Sequence, residues 1–271
     1  MLACVEQVTR NVPASDAVPA THVTCELHEA PEAGASTAGE RDPGWLRWAW
    51  KLDEAQISTR NARAQLWRRE SGYSVQAWLR PESHATRTLV GAISSAILHD
   101  LGGLVLHSGS VLSAGGVVAF IGPSGAGKST ACRHMLGDPI FSLDRLAVLP
   151  CSPEQSPEPT RAGVQPAWFA YPWPGGTAID PDKPHAVPRW SRLRGILRVR
   201  QSMGAAQVEA CSPAAAVALL RESTYHGCPD ARVEGEILHR LERLAGAVPV
   251  GRVYFALGPS LTPPVSRWLC S

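Results

Sequence analysis

Gly122-Pro123-Ser124-Gly125-Ala126-Gly127-Lys128-Ser129-Thr130 follows directly on the apolar run Val117-Val118-Ala119-Phe120-Ile121. It satisfies G-x-x-x-x-G-K-[ST] at every fixed position, in the strand-then-helix setting that gives this motif its meaning. The glycines let the backbone curl until successive N–H groups point into one hollow, and the helix that follows adds the positive end of its dipole. A lysine at position 128 can reach outer phosphates, and the Ser129 hydroxyl can hold Mg²⁺. Residues 122–130 therefore predict a nucleoside-triphosphate site with ATP and Mg²⁺ as ligands.

On the N-terminal side, Leu104 to Leu112 has β character and is joined to 117–121 through Ala114-Gly115-Gly116. Strand, Gly-Gly turn and strand predict an antiparallel hairpin leading into the loop. Before it, Leu89, Ile93, Ile97 and Leu101 recur every four residues and stop at Gly102-Gly103, the pattern of an amphipathic helix. On the C-terminal side a short helix runs from Lys128 to Leu136. The run Ile140-Phe141-Ser142-Leu143 then reads as a short strand ending at Asp144, and 146–149 resumes β character. If that strand runs parallel to the one feeding the loop, Asp144 stands at a carboxyl end, where ligands bind in α/β sheets. The sequence does not decide between an anion contact and a surface charge for Arg145.

Further out, 150–166 reads as an excursion and 168–171 as a strand, with 172–176 a rigid turn. Ser212 and Pro213 cap and open a helix, Val233, Ile237, Leu241 and Leu244 define another, and 253–257 is a last strand. The basic run 189–200 reads as a solvated face rather than a phosphate contact. Residues 64–79 read as a β-hairpin within a small β-rich N-terminal domain, with Trp48, Trp50, Trp67 and Trp78 in its core. The expected organisation is a loose leader over 1–20, the β-rich domain over 21–87, a nucleotide-binding α/β domain over 88–258 and a loose tail over 259–271.

The 271 residues suffice for one large or two modest domains, and a formal net charge of +2 gives no reason to expect nucleic acid or a membrane surface. Seven cysteines, with no C-x-x-C pair and no metal-ligand spacing, read as reduced thiols. No run approaches the length of a membrane span, so the expected address is the cytoplasm. A homo-oligomer is compatible with the sequence.

Taken together, the helix, the Leu106-His107-Ser108-Gly109 strand, the glycine loop with Lys128-Ser129 and the acid after a strand resemble the catalytic domain of HPr serine kinase/phosphorylase and its relatives. That family shares a fold with phosphoenolpyruvate carboxykinase, and the resemblance covers roughly 89–257. His107 stands fifteen positions before Gly122, the family's spacing for its active-site histidine. The resemblance implies an ATP-dependent kinase, with a hydroxyl acceptor such as serine on a protein or peptide. Lys128, His107 and Asp144 are its implied catalytic residues, and Ser129 and Asp144 its implied metal ligands. One position departs from the pattern: the family carries two adjacent aspartates where this chain has Leu143-Asp144. Asp144 then has both roles, proton acceptor and metal ligand, or catalysis is impaired. The competing expectations are an ATP-binding regulatory protein without transfer activity and a small-molecule kinase. A transport or motor ATPase is disfavoured, because no Leu-Ser-Gly-Gly-type signature is present.

Overall fold

The computed structural model describes residues 22–29, 47–59, 62–70, 72–79, 83–113, 115–151, 167–173, 190–225, 231–256, 258 and 260–271. The expected leader (1–20), the loop over 30–39, the body of the 150–166 excursion and the end of the 172–176 turn lie outside them. The chain folds as two compact units, Met1–Asp100 with His226–Glu234, and Leu101–Tyr225 with Gly235–Ser271.

The first unit is a five-stranded sheet with one helix. Its strands are β1 (His22–Glu29), β2 (Arg47–Lys51), β3 (Glu54–Thr59), β4 (Ala62–Arg69) and β5 (Gly72–Leu79), followed by helix α1 (Ser83–Asp100). The order is β1-β5-β4-β3-β2, with β1 parallel to β5 and the other pairs antiparallel. Side chains alternate across a pleated strand. Ala55, Ile57, Ala64, Leu66, Tyr73, Val75 and Ala77 accordingly form one buried face, and Leu89, Ala92, Ile93 and Ala96 of α1 are buried with them. Trp50 joins this side, its indole N–H donating to the Ala96 carbonyl at 3.2 Å. Trp67 and Trp78, expected in the core, fall on the alternate face, half-buried under Arg69 and His28 respectively. The Trp48 side chain lies outside the described residues. Because α1 packs on this sheet, the division falls at Asp100/Leu101 rather than at Arg87/Thr88, where the composition changes.

The second unit is a mixed sheet with flanking helices. Its elements are β6 (Leu104–Ser113), β7 (Gly116–Ile121), α2 (Lys128–His134), β8 (Ile140–Ser142), β9 (Arg145–Pro150), β10 (Trp168–Pro172), β11 (Ser191–Gln201), β12 (Gln207–Ala210), α3 (Pro213–Ser223), α4 (Ala231–Ala247, in this unit from Gly235 onward), β13 (Val250–Phe255) and α5 (Thr262–Cys270). The order is β10-β9-β6-β7-β11-β13-β12, with β8 beside β6 and β10 also pairing β11. β7, β11 and β13 run parallel. β6 and β7 form the expected antiparallel hairpin, Ser113 opposite Gly116. β8 is antiparallel to β6 and therefore runs in the direction of β7. Val111, Val118, Phe120, Leu197, Val199, Val253 and Phe255 pack with Ala131, Cys132 and Met135 of α2 in one core.

Two sequence readings are corrected here. The basic run is not a solvated face: it is β11, at the centre of the sheet between β7 and β13. Leu193, Ile196, Leu197 and Val199 between the arginines bury that strand, and Arg198 is buried with them. The tail is not loose, since Thr262–Cys270 is helical. Its prolines stand in the first turn, where a missing N–H removes no intrahelical hydrogen bond. Val265 anchors it in the core, and Trp268 lies where a Cβ on Gly195 would be 2.7 Å from its ring. Among the described residues no helix is long and apolar enough to cross a membrane, and Cys132, Cys151, Cys211 and Cys270 are free thiols.

Candidate functional site

The loop between β7 and α2 gets its shape from glycine. Gly125 and Gly127 hold φ of 76° and 95°, and Gly122 holds 152°, values costly for any residue with a Cβ. Gly127 is the N-cap of α2 and adopts the left-handed conformation without a side-chain cap. Pro123, Ser124 and Gly125 are exposed, Ala126, Gly127, Ser129 and Thr130 half-exposed, and Gly122 and Lys128 buried. The Lys128 ammonium donates to the carbonyls of Gly122 and Pro123 at 2.9 and 3.0 Å. Its pKa is lowered, first by burial and further by the charge of Arg198, while Asp144 pulls it back.

Sheet register brings the sequence-expected residues to this loop. Ser108 is paired with Ile121, so His107 stands one position beyond, level with the start of the loop. Alternation puts His107 on the same face as Gly109 and Val111, the face that carries α2. Gly109 is the reason α2 can come this close: a Cβ there would lie 2.7 Å from Cys132 Sγ and 3.3 Å from the Lys128 carbonyl oxygen. The corner between β8 and β9 is tied to β6 by the Ser108 N–H, which donates to the Asp144 carbonyl at 3.1 Å. This tie sets Asp144 beside His107, with Nε2 to Oδ1 at 3.7 Å. The other carboxylate oxygen faces Arg145 Nε at 3.5 Å, and the Arg145 guanidinium lies 4.4 Å over the Tyr225 ring. The His107 pKa is lowered by burial first, then by Lys128; Asp144 opposes this, and Arg145 adds to it. The imidazole is therefore neutral at pH 7 and can accept or relay a proton.

Asp144 thus follows the carboxyl end of a strand running with β7. The Leu143 side chain is partly buried and packs against the apolar core of α2 and the sheet. Among the described residues no three or more His, Cys, Asp or Glu side chains converge into a metal cage. The donors present, one hydroxyl (Ser129) and one carboxylate (Asp144), fit a hard oxygen-binding ion that takes its remaining ligands from water and phosphate, as Mg²⁺ does.

A strand end that the sequence pattern did not single out also reaches the loop. Arg198 of β11 is paired with Ile121 from the side opposite β6. With Val199, Arg200 and Gln201 it forms one wall of a cleft of about 310 Å³, whose other wall is Pro123-Ser124-Gly125-Ala126. The signal in the sequence was the alternation of arginine with apolar residues over 192–200, a strand pattern rather than a surface one. No protein-family model and no curated protein matches the chain.

Proposed function

We propose that the chain is an ATP-dependent kinase that passes the γ-phosphoryl group of Mg²⁺-ATP to a hydroxyl, with serine on a protein or peptide as the leading acceptor class. The fold proposed with it is that of the HPr-kinase and phosphoenolpyruvate-carboxykinase group. The observation that carries this reading is the convergence of a neutral histidine, a half-exposed carboxylate and a buried lysine on one glycine loop at the strand ends. In this reading the loop N–H groups and Lys128 hold the phosphates, and Lys128 exchanges its two carbonyl partners for phosphate oxygens. Asp144 accepts the proton of the acceptor hydroxyl, and His107 stays neutral beside it. Bound Mg²⁺ supplies neutralisation of the charge that develops on the phosphoryl oxygens. The protein's own contribution is positioning and charge stabilisation, which carry most of the catalysis in such transfers.

The second reading, an ATP-binding regulatory protein, is favoured by one feature: the Leu143 side chain packs against the core, so among the described residues the site offers a single acid. Two measurements separate the readings. Lys128→Ala should weaken ATP binding by about one to two decades in calorimetry, since a charged hydrogen bond of ~1.5–3 kcal/mol is lost. Unchanged affinity would remove the nucleotide assignment altogether. Transfer of radiolabelled γ-phosphate to serine-containing peptides and small hydroxyl compounds then supports the kinase. Intact ATP binding without any transfer supports the regulatory protein.

A further inference from the structure

We propose that Arg198 is a second cationic arm for the nucleotide's polyphosphate, reaching the loop from the face of the sheet opposite to Lys128; this rests on the nucleotide-binding reading above. Arg198 is 7% exposed, an unusual burial for an arginine. Its Nη1 donates to Glu222 of α3 at 2.7 Å, which fixes one edge of the guanidinium. Its Nε, by contrast, is buried and makes no hydrogen bond among the described residues. A buried donor on a charged group without a partner is costly, and such groups in native proteins have a reason.

The place of Arg198 supplies that reason. Phe120, Leu197 and Val199 face α2, so Arg198, which alternates with Leu197 and Val199, starts from the other face of the sheet. It then runs up beside the loop: a Cβ on Gly122 would lie 3.7 Å from its Cδ and 3.8 Å from its Nε. Lys128 feels its charge, so the two cations flank one short segment of backbone. Glu222, the one acid paired to Arg198 among the described residues, is itself 59% exposed and offsets that charge incompletely. The cleft between Arg198 and Ser124–Ala126 is therefore a cationic, polar slot. Its natural ligand is a polyanion lying along the loop, with a phosphate oxygen accepting from Nε. A purely structural Arg198–Glu222 pair would account for Nη1 and leave Nε unexplained.

The test uses the full chain with ATP and inorganic tripolyphosphate as probes, measured by calorimetry. Arg198→Met, an apolar replacement suited to a buried strand position, should weaken both probes at least tenfold. Arg198→Lys, keeping the charge and losing Nε, should fall between it and wild type. In the wild-type protein, the Arg198 Nε–H NMR signal, assigned by its loss in Arg198→Lys, should shift on addition of tripolyphosphate. This readout holds even if Arg198→Met does not fold. Equal tripolyphosphate affinity in Arg198→Met, or an unmoved Nε–H signal at saturation, overturns the proposal while leaving the nucleotide reading intact. Wild-type protein that binds neither probe overturns both.

Discussion

Each unit contains an aspartate flanked by arginine, and the two are built differently. In the first, Asp100 is 14% exposed and accepts from Arg68 Nε at 3.0 Å, from Arg68 Nη2 and from the Tyr73 hydroxyl at 2.7 Å. Arg68 has a further acid in Asp53, at 3.0 Å. Every partner is engaged, and the Tyr73 pKa is pushed well above its usual value, by burial first and then by Asp100. In the second unit Asp144 is 49% exposed, and its two neighbours, the His107 ring at 3.7 Å and the Arg145 guanidinium at 3.5 Å, stand beyond close hydrogen-bond reach. Around it stand Lys128 and Arg145, two cations to one carboxylate among the described residues. A closed network holds a fold together; an open one with surplus charge is arranged for something that arrives. Four measurements can break or sharpen that contrast.

The largest effect is expected from Asp144→Asn. If Asp144 only accepts the proton, phosphoryl transfer should fall by about two to four decades with ATP affinity retained. If it also holds the metal, Mg²⁺-dependent ATP binding should weaken in parallel. Transfer that survives the substitution would show that the open carboxylate is another surface acid, and the contrast with Asp100 would lose its functional meaning.

The loop was legible in the sequence because its fixed glycines and Lys128-Ser129 encode backbone geometry locally. The β6–β7 hairpin was legible for the same reason, since Gly115-Gly116 specifies the turn. Asp144 was legible as a strand-end acid, but its closeness to His107 follows from the pairing of β8 and β9 with β6, which no local pattern announces. Arg198 was misread because charge dominated the reading of 189–200, while the burying residues Leu193, Ile196, Leu197 and Val199 stood between the arginines. The α5 helix was missed because Pro263-Pro264 looks like a breaker, though prolines in a first turn are tolerated. The place of α1 with the first sheet was also out of reach, since amphipathicity shows that a helix has an apolar face and not which sheet receives it.

Next in size is Gly109→Ala. The added Cβ meets Cys132 Sγ and the Lys128 carbonyl, so α2 must move away from β6. Overpacking of this kind costs about 1–3 kcal/mol, seen as a lower thermal midpoint. Because α2 carries Lys128 and Ser129, ATP affinity should drop with it. A stable variant with normal affinity would mean that the tight seat of α2 is not needed for the site. In the closed network, Asp100→Asn should cost a similar ~1–3 kcal/mol in denaturant unfolding, since the Arg68 and Tyr73 donors lose an ionised acceptor. It should leave ATP affinity untouched. A loss of ATP binding there would contradict the assignment of that network to stability alone.

The smallest effect, and the most direct probe of the open site, is the titration of His107. Burial and the charges of Lys128 and Arg145 lower its pKa, and Asp144 alone raises it. An NMR titration should place its midpoint below the ordinary value of about 6.5. Lys128→Met and Arg145→Met should each move it up, and Asp144→Asn should move it further down. The signs also fix the stability dependence. The folded state binds fewer protons at this residue than the unfolded chain does, so His107 contributes a loss of stability as pH falls through about 6.5. That loss levels off once pH passes below the folded-state value. Asp144→Asn should widen this window, and Lys128→Met should narrow it. A wild-type midpoint at or above the ordinary value would show that the carboxylate outweighs burial and the two cations together. His107 and Asp144 would then form a true ion pair at neutral pH, as closed as the one in the first unit, and neither group would be free to take a proton from an acceptor.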